Sequence, residues 1–155
     1  MMSRRYQQGV SLIEVLVSLL ILGIGILGAA ALQMNALKFT DSSTASSQAS
    51  FIAYDMMDRI RANPDANYAL TGLSAAPIAS DLRTQDLADF AANVIAMGGT
   101  NASSITVVKR VVTITIVWND ARAAGARAVN NTASTASTTQ TYTLVSRVAV
   151  DSGII

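Results

Sequence analysis

The chain has 155 residues, 51% of them hydrophobic and 14% charged, with a formal net charge of +1. A balance of 11 basic against 10 acidic groups does not imply a polyanionic partner by bulk charge. Cysteine and histidine are both absent, so no disulfide can brace the fold, and the usual general base and the commonest metal ligand are missing. The scattered Asp, Ser and Tyr residues show no catalytic spacing, so the sequence reads as a non-enzyme with no cofactor and no metal site.

Taken in order, the chain opens with a polar stretch, Met1 to Gln8, that carries Arg4 and Arg5 and no acid. Gly9 follows, and then 23 residues from Val10 to Leu32 whose only polar side chains are Ser11, Glu14 and Ser18. As a helix this run spans roughly 34 Å, enough to cross a hydrocarbon core of about 30 Å. The flanking Arg4 and Arg5 predict that the segment before the span stays cytoplasmic and that the rest of the chain lies outside the inner membrane.

Glu14 is the only glutamate in the chain. Within a membrane helix such a residue costs roughly 3 kcal/mol and marks a functional position by default. Cutting the chain after Gly9 would create an amine at Val10, four residues ahead of Glu14 and on the same helix face. That amine, in the same chain or in a parallel neighbour staggered by about one turn, would supply the opposite charge that makes a buried carboxylate tolerable.

A basic leader, Gly9, Val-Ser-Leu-Ile-Glu and a long apolar helix resemble the signal of the type IV prepilin family. The family pattern is Gly, Phe, then Ser or Thr followed by Leu-Ile-Glu. Ser11, Leu12, Ile13 and Glu14 match it, whereas Val10 stands where the family usually has Phe. The resemblance implies cleavage between Gly9 and Val10 by a prepilin peptidase, methylation of the Val10 amine, and an assembly salt bridge at Glu14. Ile24 to Gly28, Ala31 to Gln33, and Val117 to Asp120 add scattered similarity to minor pilins of that family. Two ordinary export signals compete for the same stretch. One is a secretory peptide with an apolar core from Val15 to Leu27 and a cut after Ala31. The other is a twin-arginine signal around Ser3-Arg4-Arg5. Neither accounts for Gly9 to Glu14, and Gln7 and Gln8 stand where the twin-arginine signal requires apolar residues.

Beyond Leu32, Ala45, Ala49, Ile52, Ala53, Met56 and Ile60 recur at helical spacing, which predicts one helix from Val10 to about Ala62. Asn63-Pro64 stops it. Gly23, Gly25 and Gly28 read as small residues for close helix packing, or as a stretch that can melt locally. Residues 64–80 hold both prolines and read as a loop. Ser80 or Thr84 is the expected cap of a second helix with Leu87, Phe90, Ala91, Val94 and Ile95 on its apolar face, ended by Gly98-Gly99.

Strands are expected at Ile105–Val108, at Val111–Trp118 with Val112, Ile114, Ile116 and Trp118 inward, and at Thr141–Val150 with Tyr142, Leu144, Val148 and Val150 sharing a face. Residues 121–140, rich in Ala, Ser, Thr and Asn, read as a long loop and a candidate binding surface. Trp118 reads as core, Asn119-Asp120 as a turn, and Arg122 and Arg127 as solvated loop charges. Asp120 lacks a second carboxylate nearby in sequence that a calcium site would need. Nothing here has the basic, aromatic-interleaved pattern of a nucleic-acid interface.

The expected architecture is therefore α+β, type IV pilin-like: a long N-terminal helix packed on a small antiparallel sheet. Its parts are a leader (1–9), a transmembrane and assembly half of the helix (10–32), a soluble half (33–62) and a C-terminal globular region (63–155). The partners implied by the resemblance are the prepilin peptidase, other minor pilins and the major pilin, the inner-membrane assembly platform and the membrane itself. A minor pseudopilin of a type II secretion system, the alternative reading, shares the signal and the helix-plus-sheet plan. An exported soluble binding protein starting near Leu32 is the reading from a different class.

Overall fold

In the computed structural model, which describes residues 11–127 and 137–148, Ser11 caps the first helix. Its Oγ accepts from the Ile13 N–H at 3.3 Å, and its carbonyl accepts from the Glu14 and Val15 N–H groups at 3.0 and 3.3 Å. These contacts satisfy donors that every helix start leaves open. Helix α1 then runs unbroken over Leu12–Ala62, 51 residues, and ends just ahead of Asn63-Pro64 as expected. By internal contacts the chain divides into two units, Met1–Leu37 and Lys38–Ile155.

In the first unit, α1 buries nothing. The large apolar side chains from Leu12 to Leu37 are all exposed; no other element of the described residues folds against them. In the second unit, α1 presents Ala49, Ala53, Met56, Met57 and Ile60 to a core shared with the sheet and with a second helix. Ala45 and Ile52 lie at the margin of that core. Met57, which the sequence spacing did not select, is fully buried.

The stretch from Thr40 to Ser50 is unusual for a helix: it contains Asp41 and seven Ser or Thr residues. Each such residue costs up to about 0.7 kcal/mol of helix propensity relative to alanine. Several of the hydroxyls bond back to their own helix, as in Thr44 to the Thr40 carbonyl at 3.0 Å and Ser46 to the Ser42 carbonyl at 3.1 Å. Such back-bonding weakens helices further.

The segment expected to be a plain loop is pinned instead. Leu70 and Ile105 exchange two backbone hydrogen bonds of 2.8 Å, and Leu73–Ala75 form one 3-10 turn. Tyr68, Leu70 and Leu73 are buried. Two prolines broke the periodic pattern, but isolated apolar side chains still had a core to reach.

Helix α2 spans Leu82–Ala96. Asp81, not Ser80 or Thr84, is its cap: the Asp81 carboxylate accepts from the Thr84 N–H at 2.7 Å, and the Thr84 hydroxyl accepts from the Asp81 N–H at 2.8 Å. This reciprocal box places Thr84 inside the first turn. Leu87, Phe90, Ala91 and Val94 are buried, whereas Ile95 is exposed. At the far end the Gly98 N–H reaches the Ile95 carbonyl and the Gly99 N–H reaches that of Val94. Gly98 has φ +88, which only glycine adopts at little cost.

Strands β1 (Ser104–Val108), β2 (Val111–Asn119) and β3 (Thr139–Arg147) form an antiparallel sheet in that order. Val112, Ile114, Ile116 and Trp118 face the core as the alternation required. The β1–β2 turn has only two residues, Lys109 and Arg110, both at positive φ (47 and 66). That geometry suits the right-handed twist of the strands but normally takes Asn-Gly. Strand β3 begins two residues earlier than expected. Tyr142 and Leu144 are half-buried and Val148 is buried, while Val150 lies outside the described residues.

The reading of 121–140 as one loop is corrected. Ala121–Arg127 form a third helix, α3, with Ala123 and Ala124 buried. A run of small residues looked like low complexity but also suits a helix. Residues 128–136 of that stretch lie outside the described residues.

Candidate functional site

The residues singled out for function converge on the start of α1. Gly9 and Val10, the expected cleavage and methylation positions, lie outside the described residues. Ser11 caps the helix, and Glu14 sits in its first turn, where the positive end of the helix dipole favours a carboxylate by about 0.3–1 kcal/mol. That is smaller than the roughly 3 kcal/mol a membrane charges for it. The Glu14 side chain is exposed, and among the described residues it joins no ion pair. The Ser18 hydroxyl bonds to the Glu14 carbonyl at 2.7 Å, so both polar neighbours of Glu14 satisfy backbone rather than the carboxylate.

The apolar part of α1 has none of its side chains buried among the described residues. It is long and apolar enough to cross a membrane. A methyl group placed on Gly23, Gly25 or Gly28 would meet nothing within 4 Å. Whatever these glycines allow to come close is not part of this chain's own described fold.

In the second unit one polar cluster ties α1 to α2. Arg59, on the last turns of α1, bonds to Asp55 at 3.0 Å, Asp86 at 3.0 Å and Asp89 at 3.1 Å. The buried Tyr68 hydroxyl donates to Asp86 at 2.8 Å. The hydrogen bond to Asp86 raises the Arg59 guanidinium above its ordinary value. Burial, aided by Asp86, pushes the Tyr68 phenol up. The Thr84 N–H, then its hydroxyl, hold the Asp81 carboxyl below the ordinary range. Sequence reading missed this cluster. Its only traces were Asp55 four residues before Arg59 and Asp86 three residues before Asp89.

Trp118 is core, 3% exposed, and its indole N–H has no partner among the described residues. Asp120 is buried and accepts from the Ser42 hydroxyl at 2.9 Å. Arg122 pairs with Asp41 at 3.3 Å. The described residues hold no group of three Asp or Glu placed to share a cation. An open groove of about 310 Å³ between Gln48, Phe51, Ile52, Asn93, Ala96 and Met97 contains no charged side chain, so it offers no acid–base chemistry.

Comparison with known families matches residues 4–30 to the prokaryotic N-terminal methylation motif and residues 31–93 to the type IV pilin Tt1218 family. No curated protein and no solved structure matches the chain.

Proposed function

From a chain that carries the prokaryotic N-terminal methylation motif and a type IV pilin domain, we propose a minor pilin, most like PilV, that helps to start or tune filament assembly. The observation that carries this reading is the joining of Gly9–Glu14 to an apolar helix whose large side chains stay exposed among the described residues. Such a helix is covered either by lipid or by other helices, and a pilin uses both in turn. The subunit first waits in the inner membrane with residues 1–9 in the cytoplasm and the second unit in the periplasm. The prepilin peptidase cuts between Gly9 and Val10 and methylates the new amine. The assembly platform then moves the subunit beside other minor pilins and the major pilin.

Glu14 gives that transfer a direction. A carboxylate in hydrocarbon is costly, and the Val10 amine of a neighbour relieves the cost only when the two helices are in register. Assembly and charge neutralisation are therefore the same event.

Intact mass and N-terminal sequencing of the protein recovered from membranes test the processing. The expected result is a start at Val10 with one added methyl. A start at Leu32 in a soluble fraction would overturn the whole reading. Glu14→Ala is expected to be cleaved normally but to enter filaments at least ten-fold less, as the loss of a charge pair worth about 1.4 kcal/mol or more implies. Incorporation equal to wild type would remove Glu14 from the mechanism.

A further inference from the structure

We infer that α3 clamps the weak stretch of α1, so that residues 40–48 are helical because of a tertiary contact and not through their own propensity. Three observations meet here. The stretch is built from residues that favour caps and turns over helix interiors, Thr40, Asp41, Ser42, Ser43, Thr44, Ser46 and Ser47. Several of those hydroxyls turn back on carbonyls of the same helix, which loosens it. On this stretch Asp120, the residue just ahead of α3, and Arg122, in its first turn, make side-chain ties to successive positions, Ser42 to Asp120 at 2.9 Å and Asp41 to Arg122 at 3.3 Å.

The clamp is itself anchored to the sheet. Asp120 follows the last residue of β2, its N–H donates to the Thr138 carbonyl at 2.7 Å, and its own carbonyl accepts from the Ala124 N–H at 3.0 Å. A force or a binding event that shifts α3 thereby reaches α1 at Asp41 and Ser42. Below this stretch the helix needs no such help, because Ala49, Ala53, Met56, Met57 and Ile60 hold it by burial. The clamp therefore sets where the rigid part of α1 begins, and its release makes residues 40–48 a hinge.

Native-state hydrogen exchange on the full chain in detergent micelles separates clamp from propensity, because the two make opposite forecasts for one substitution. Ser42→Ala improves helix propensity but deletes the tie to Asp120. Ser43→Ala improves propensity alone, since Ser43 is exposed. The expected result is exchange of the 40–48 amides several-fold faster in Ser42→Ala and slower in Ser43→Ala. The Ile114 and Ile116 amides, read in the same samples, should be unchanged. Slower exchange in both variants overturns the clamp. Equal acceleration at 40–48 and in β2 overturns it too, because the tie would then support the whole unit and not this stretch.

Discussion

The two ends of α1 are one continuous helix with opposite relations to the rest of the chain. From Leu12 to Leu37 nearly every residue is apolar and none is buried; from Lys38 to Ala62 polar residues abound, yet five side chains are sealed in a core. Hydrophobicity alone thus does not create a core. It creates a demand for cover, and a short apolar stripe facing α2 and the sheet is covered while an apolar cylinder is not. The second half needs only a narrow face because the Ala, Met and Ile residues on it meet side chains from several other elements. The first half needs a solvent or a set of neighbours that surround it.

The sharpest way to break that contrast is to truncate one side chain in each half. Met57→Ala removes a side chain that is 0% exposed, with an expected loss of about 2–4 kcal/mol in denaturant unfolding of the second unit. Leu20→Ala, at a site 64% exposed, should leave that unfolding curve unmoved. A comparable loss from both would mean that the apolar half is packed on something in the isolated protein.

A smaller effect is expected at the polar seam of the second unit. Arg59→Ala leaves the Asp86 carboxylate, only 7% exposed, with Tyr68 but without its guanidinium. Because Arg59 is itself 34% exposed, we expect about 2 kcal/mol, below the full cost of orphaning a buried charge. Urea unfolding of the variant measures it, and a change under about 0.5 kcal/mol would make the cluster a surface ornament.

The smallest is Tyr68→Phe, expected to cost about 1 kcal/mol at neutral pH. Its test is the pH dependence. The raised phenol value favours the protonated form in the folded state. The contribution is then complete below the unfolded tyrosine value of about 10 and is lost as pH rises through the higher folded value. Wild-type stability should fall on that alkaline limb, and the Phe variant should fall less steeply. Parallel alkaline limbs would show that Tyr68 does not titrate with unfolding.

Much of this protein was legible without coordinates, and for local reasons. The membrane-length helix follows from 23 consecutive residues with three polar side chains. Its stop at Ala62 follows from the restriction proline places on Asn63, and the inward face of β2 follows from strict alternation. The motif at Gly9–Glu14 was also readable, since its residues are contiguous and their number and order carry the chemistry.

What chain order could not supply are contacts between distant, individually unremarkable residues. Residues 121–127 form a helix with Ala123 and Ala124 buried, and Ser42 and Asp120, 78 positions apart, meet only in the folded chain. Leu70 joins Ile105, and Arg59 gathers Asp86 and Asp89, in the same way. Local periodicity settles which elements exist, because it acts within a turn or a strand. Tertiary structure decides which polar side chains become partners, because burial alone makes an unpaired one expensive.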